Sequence, residues 1–469
     1  MVQTADTDSR TGSVMQAIRQ RIDRRALTPG ARLPSVRAMA ESAGVSKSTV
    51  VVAYDRLAAE GVIRSRPGAG FFVAAPLAPL ALAKMALELD RHIDPLWMLR
   101  QMQADKPDML KPGGGSLPTS WMPGDALRKG LRRLTRSGPG SLLVGYGDPA
   151  GPAPMRRLIA RRMMDQGVDC APDQILLTDS GTHAIDLVLR FIIQPGDTVL
   201  VDDPGYYNFQ ALLRAHRAKV ISVPLTPTGP DLAAFEQVLI QHRPRLYLTV
   251  SAMHNPTGVT LSAASAHRIL RLSEAHDLLI LEDDIFADFE DELSPRDAAF
   301  DGLDRVIRVG CFTKSLSSAF RCGHIAARRD WIAALTDLHM STAISGNPFT
   351  PELLHGVLTD GGYRHHMEQI RARLSKARSR AIRRLKAIGV TPWVEPASGL
   401  FIWCRLPLAD GASAGDVARR GLAENIAFAP GNVFSVTQSA SHFMRFNVSM
   451  MEDERVFEVL DRLCRDPWG

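Results

Sequence analysis

The chain has 469 residues, 45% hydrophobic and 23% charged, which is ordinary globular composition. That length predicts about three domain-sized pieces and excludes disordered, collagen-like and small disulfide-scaffold proteins. No run of about 18 apolar residues occurs, and the opening "MVQTADTDSRTGS" has no apolar core, so neither a membrane span nor a secretory leader is expected. The chain reads as soluble and cytoplasmic. Cys170, Cys311, Cys322, Cys404 and Cys464 are scattered without a CxxC pair or zinc-like spacing, so reduced buried thiols and no metal site are expected. Residues 1–74 hold 11 Lys/Arg against 6 Asp/Glu, an excess of five within a net charge of +6. A basic head on a nearly neutral body points to a polyanion that meets the head alone.

In the head, Val14, Ile18 and Ile22 recur at helical spacing until Pro29-Gly30 stops the run. Ser35 is a candidate cap for a second helix carrying Val36, Met39 and Ala40, which ends at Ala43–Val45. Ser46 then caps a third helix with Val50, Ala53, Tyr54 and Leu57 on one face. Two short helices around a Gly-containing turn predict a helix-turn-helix, and "GVIRSRPGAGFFVA" adds two short strands around Arg66-Pro67-Gly68 as a wing. The apolar face of the third helix points away from its first turn, which leaves Lys47, Ser48 and Thr49 to meet base edges or phosphates. Arg37 and Arg66 are candidates to hold the phosphate backbone. Residues 31–73 closely resemble the GntR-type winged helix. That resemblance implies DNA contacts at Arg37, Lys47, Ser48, Thr49, Arg66 and the wing around Gly68. A plain protein-interaction module with solvated cations is the bland alternative.

Residues 75–111 form an alanine-, leucine- and proline-rich joint, too apolar for a solvated linker and expected to hold one helix lying on the larger body. "KPGGGSLPTSWMP" marks entry into that body, predicted at 112–469 with a smaller C-terminal α+β part at about 345–469. Here "QILLT", "TVLVDDP", "KVISVPL", "RLYLTVS", "LLILEDD" and "VIRVGCF" alternate with helical lengths. They predict an α/β unit with a mostly parallel sheet.

Ligands of such sheets bind beyond the strands' carboxyl ends. "TDSGTHAID" opens a helix with Ser180, Gly181 and Thr182, whose N–H groups suit an anion, although a plain turn looks the same. Tyr206 ends the next strand loop, as a stacking face or as packing. Asn255 follows a third strand. Asp283 and Asp284 follow five apolar residues, where a buried carboxylate needs a cation or a proton. "VIRVGCFTK" delivers Lys314 beyond a fifth strand.

The order and spacing of "YGDPAG", "DPGY", "NPTG", "EDD" and "TKSLSSAFRCG" resemble the fold type I pyridoxal-phosphate aminotransferases across roughly residues 112–465. The resemblance implies that Lys314 forms an imine with the cofactor's aldehyde, a bond that needs a neutral amine. It places Asp283 against the pyridine nitrogen, Asn255 on the phenolic oxygen and Tyr206 on the ring. It places Gly181, Thr182, Arg321 and Thr313 about the phosphate, with Cys311 where relatives usually carry serine. Phe286 stands where they usually carry tyrosine. Tyr146 matches a tyrosine that reaches the phosphate from a second subunit, so a homodimer is expected. Arg445 matches the arginine that grips a substrate carboxylate, with a surface cation as the bland alternative.

A winged helix ahead of such a body is similar to the MocR-type regulators of the GntR superfamily. The implied function is a transcription regulator that binds operator DNA, carries pyridoxal phosphate on Lys314 and responds to it or to an amino compound. The competing expectation is a working amino-acid aminotransferase with a secondary head, since Lys314, Asp283, Asn255 and Arg445 permit that chemistry.

Overall fold

A computed structural model describes residues 4–23, 26–27, 30–66, 70–73, 95–103, 106 and 108–466. The chain divides into two compact units, residues 1–92 and 93–469.

The first unit packs helices α1 (Thr4–Asp23) and α2 (Val36–Ala43) against α3 (Lys47–Ala59), followed by antiparallel strands β1 (Ile63–Arg66) and β2 (Gly70–Val73). Val14, Ile18, Val50, Ala53, Tyr54 and Leu57 are buried together, as helical periodicity requires. Gly44 takes the left-handed conformation, φ 64°, at the end of α2, a place that favours a residue without Cβ. Ser46 caps α3: its Oγ accepts from the Thr49 N–H at 3.1 Å and lies 2.8 Å from Thr49 Oγ1. Ser46→Ala is expected to cost about 1 kcal/mol, read as a lower melting temperature of the head in the full chain.

The second unit is built on an eight-stranded sheet of order β3-β10-β9-β8-β7-β4-β5-β6. Its strands are β3 (Ile175–Thr178), β4 (Thr198–Asp203), β5 (Lys219–Thr226), β6 (Gly229–Pro230), β7 (Leu246–Thr249), β8 (Leu279–Asp283), β9 (Val306–Cys311) and β10 (Gly323–Ala326). β4, β5, β7, β8 and β9 pair in parallel, while β10 runs antiparallel between β3 and β9. Both faces are covered, so adjacent residues of one strand enter different layers. Ile175 and Leu177 join one core and Leu176 the other.

The strand order reverses about β4, and the residues beyond the ends of β4, β7, β8 and β9 converge there. Beyond the sheet, the 26-residue helix Gly362–Ala387 leads to a small sheet of order β11-β12-β14-β13. Its strands are β11 (Thr391–Pro392), β12 (Phe401–Arg405), β13 (Ala429–Pro430) and β14 (Phe443–Asn447). The helix Pro95–Gln103 seats Met98 among Tyr207, Trp403 and Phe434. Among the described residues, no helix is long and apolar enough to cross a membrane.

Candidate functional site

On the first unit, Arg37 lies exposed at the start of α2, and Lys47 and Ser48 lie exposed in the first turn of α3. Thr49 does not share that exposure. It is buried, with its hydroxyl in the cap network of Ser46. Arg66 ends β1 at the wing, and Gly68 lies outside the described residues.

On the second unit, β8 is apolar up to Glu282, and its alternation sends Asp283 to one face and Asp284 to the other. Asp284 is paired: it accepts from Arg296 Nε at 2.9 Å and from Arg308. Burial would raise its pKa, but these two guanidiniums outweigh burial and hold it below the usual carboxylate range. Asp283 has no such partner. Burial, and then the charge of Asp284, push its pKa up to about 7, and its Oδ1 is buried without a hydrogen-bond partner. A buried acceptor of this kind calls for a cationic donor.

Lys314 stands in the loop between β9 and β10, and its Nζ donates to Gly115 O at 2.7 Å. Burial lowers its pKa, and the nearby charges of Arg445 and Arg321 lower it further, while Cys311 and Asp283 act against this. The amine is therefore biased toward the neutral, nucleophilic form. Tyr206 precedes the helix Tyr207–Ala215 and packs edge-on to Tyr207 and Phe209, at 5.0 and 5.2 Å between ring centres. Thr313 hydrogen-bonds Cys311, whose thiol is pushed up mainly by burial.

Gly181 is the first residue of the helix Gly181–Ile192, capped by Ser180 Oγ, which accepts from the His183 N–H at 3.0 Å. A Cβ at Gly181 would lie 3.3 Å from Ile285 and 3.6 Å from Cys311, so the helix end sits close against the β8 and β9 ends. Thr182 and Arg321 are exposed, and Tyr146 is 82% exposed beside Leu143 and Val144. Phe286 is buried edge-on to Phe401.

Arg445, on β14, is not a surface cation. It is fully buried between the rings of Phe401 and Phe434, at 4.4 and 4.9 Å. Its Nη1 donates to Asn255 Oδ1 at 2.7 Å and its Nη2 to Gly113 O at 2.5 Å, while its Nε has no partner. With Oδ1 of Asn255 engaged by Arg445, the Asn255 amide N–H₂ remains the donor for a second acceptor.

Sequence reasoning misses the segment Gly113–Ser116 as part of this site and takes it only as a domain entry. Its carbonyls accept from Arg445, Asn447 and Lys314. A Cβ at Gly113 would lie 2.6 Å from Ala429 N, so only glycine allows that approach. Three consecutive glycines are the available signal.

The residues present fit pyridoxal phosphate. Asp283 offers a buried carboxylate with an unpartnered Oδ1 for a protonated ring nitrogen, and Lys314 a desolvated amine. Asn255 offers a free amide donor, and the helix start at Gly181 the N–H groups an α-helix leaves without acceptors.

Residues 119–463 match the class I and II aminotransferase family, and residues 10–73 match the gntR family of bacterial regulatory proteins. The chain is similar end to end to two HTH-type transcriptional regulators of Escherichia coli K12. YdcR is 28% identical, covering 96% of this chain and 97% of its own, and YjiR is 29% identical, covering 95% and 96%. It is also similar to the structure of the α-aminoadipate aminotransferase LysN of Thermus thermophilus, solved with N-(5'-phosphopyridoxyl)-L-leucine. There the identity is 25% and the TM-score 0.70, over 79% of this chain and 96% of that one. Homologues of this fold bind pyridoxal phosphate. With a GntR-family winged helix ahead of a complete aminotransferase fold, the chain belongs to the class I and II aminotransferase family in its MocR-type form.

Proposed function

We propose that this chain is a transcriptional regulator that binds operator DNA through its head, holds pyridoxal phosphate at Lys314, and changes its DNA affinity when an amino compound or the cofactor occupies that site. The observation that carries the reading is one chain presenting both an exposed basic recognition turn, at Lys47 and Ser48, and a desolvated lysine facing an unpartnered aspartate. Transamination has no use for the first of these.

When bound, the cofactor supplies an aldehyde that condenses with a neutral amine and a ring that withdraws electrons. Lys314 offers that amine, and Asp283 holds a proton at the ring nitrogen. Asn255 donates to the ring's phenolic oxygen, and Tyr206 covers its face. Gly181, Thr182, Arg321 and Thr313 receive the phosphate. Arg445 binds the carboxylate of an amino-acid effector, with its unpartnered Nε as the first available donor and its bonds to Asn255 and Gly113 as those exchanged. β14 carries Arg445, so effector binding pulls on the small sheet. A ligand shifts the DNA equilibrium only by its differential affinity for the two arrangements. Tyr146, with Leu143 and Val144 exposed beside it, supports a homodimer whose partner covers that corner.

The test is DNA binding by the full-length protein to a duplex from its own promoter region, with and without pyridoxal phosphate and a panel of amino acids. Lys47→Ala is expected to weaken binding and reduce the salt slope by about one. Lys314→Ala is expected to lose the visible absorbance of the bound cofactor together with the response to amino acids. Steady turnover of an amino acid with a keto acid, combined with no salt-dependent DNA binding, would reverse the assignment in favour of an aminotransferase.

A further inference from the structure

We propose that the groove between the helix Gly362–Ala387 and residues 120–121 is a second ligand site, shaped for a small, multiply charged anion bearing a planar ring, and that its occupancy is felt at Lys314. The groove is open to solvent, has a volume of about 540 Å³ and shares no lining residue with the cofactor site. That volume falls within the span of pockets that hold small ligands, about 300–1,000 Å³.

The helix carries nine arginines and lysines against one acid, Glu368. Arg373, Lys376 and Arg380 line the groove at a spacing that puts them on one helix face. Most cations of this helix that face water already have carboxylates: Arg364 pairs with Glu368, Arg380 and Arg384 with Glu454, and Lys386 with Glu395. Arg373 and Lys376, which line the groove, have no carboxylate partner among the described residues. Arg373 lies instead over the ring of Trp121, 5.6 Å from its centre. Two uncompensated cations beside an indole face match a phosphate chain attached to a flat ring, the chemistry of a nucleotide. Ser120 and the Glu452 carboxylate also line the groove, and they offer acceptors for amino groups on such a ring.

Three short connections tie this groove to the cofactor site. Ser120 and Trp121 follow Gly113–Ser116, whose carbonyls hold Arg445, Asn447 and Lys314. Val448 and Met451, also in the lining, follow directly from β14 and Arg445. His366 lies about two turns before Arg373 on the same helix, and its Nε2 is 3.0 Å from the carbonyl oxygen of Ser315, the residue after Lys314. Burial first, and then the Arg373 charge, lower the pKa of His366, so an anion on Arg373 changes the field at that contact. A ligand that closes Trp121 onto the helix therefore acts on both walls of the Lys314 site.

The coupling rests on the Lys314 reading, and the visible band recorded before any further ligand is added tests that reading separately. The experiment is equilibrium dialysis of the full-length protein, loaded with pyridoxal phosphate, against metal-free ATP, tripolyphosphate, adenosine and a duplex of unrelated sequence. ATP is expected to bind once per chain, about tenfold or more tighter than tripolyphosphate or adenosine. It is also expected to shift the amino-acid titration of the visible band. Lys376→Glu and Trp121→Ala should each weaken ATP about tenfold or more while leaving the visible band in place. Absence of saturable ATP binding, equal binding of tripolyphosphate, or indifference to both substitutions overturns the site. Duplex that competes with ATP and is itself weakened by Lys376→Glu makes this face a nucleic-acid contact and also overturns it. Binding without a shift in the amino-acid titration overturns the coupling.

Discussion

Arg296→Ala is expected to destabilise the larger unit by about 3–5 kcal/mol, seen as a fall in its urea midpoint. Arg296 is completely buried. Its Nε donates to Asp284 at 2.9 Å, its Nη2 contacts Glu290 at 2.6 Å and its Nη1 donates to Ser294 O at 2.8 Å. With Arg308, it makes two cations against the two carboxylates of Asp284 and Glu290. Removing one cation leaves a negative charge in a place water cannot reach, and Glu290 Oε1 already lacks a partner. Arg296→Met refills much of the volume but not the charge, so it should lose nearly as much. A loss below about 1 kcal/mol in both variants would show that the charge was never held there at a cost. The consequence reaches function, because Asp284 is the residue next to Asp283 and its charge helps set the Asp283 pKa.

Asp283→Asn is expected to act in two opposite directions. Cofactor affinity should fall by about 10- to 100-fold, from loss of a charge-assisted hydrogen bond of about 1.5–3 kcal/mol at about 1.4 kcal/mol per decade. The cofactor-free protein should nevertheless become more stable at neutral and alkaline pH. Asp283 is held at about 7 in the fold. In the unfolded chain an aspartate titrates at about 3.9. A carboxyl whose folded pKa is raised is penalised when it must ionise, so the penalty grows as pH rises through that window and is complete above 7. Removing the ionisable group should raise the melting temperature of the cofactor-free protein most at pH 8 and progressively less toward pH 5. An unchanged melting temperature at pH 8 would mean that Asp283 already has a cation or a bound water as partner.

The strand-end residues can be read in advance because each announces itself locally. Asp283 follows an apolar run, Lys314 follows "VIRVGCFT", Asn255 precedes Pro256 in the loop after its strand, and Tyr206 comes two residues after Pro204, which ends β4. The same locality explains the head, where Ser35, Ser46 and the helical spacing of Val50, Tyr54 and Leu57 mark caps and a buried face within a few residues. Thr49 escapes this reasoning because two outlets compete for its hydroxyl, solvent and the cap, and packing decides between them. Arg445 can be placed on a strand, but its partners cannot, since Gly113 and Asn255 are 332 and 190 residues away. The role of Gly113–Gly115 stays hidden for the same reason: a glycine run marks backbone freedom without saying what approaches it.

Periodicity, caps and turn chemistry act over four or five residues, so the order of helices and strands, the covered parallel sheet and the polar residues at strand ends are all written in the chain itself. Pairing across the sheet and between its layers is non-local. It placed β10 antiparallel between β3 and β9, so that the 312–322 loop brings both Lys314 and Arg321 to one edge. It also separated two adjacent aspartates by function. Asp284 is neutralised by arginines from residues 296 and 308, and Asp283 is left buried without an arginine partner and with its Oδ1 unpartnered. Desolvation and distant charge, which exist only once the chain is folded, turn one aspartate into scaffold and the other into a site.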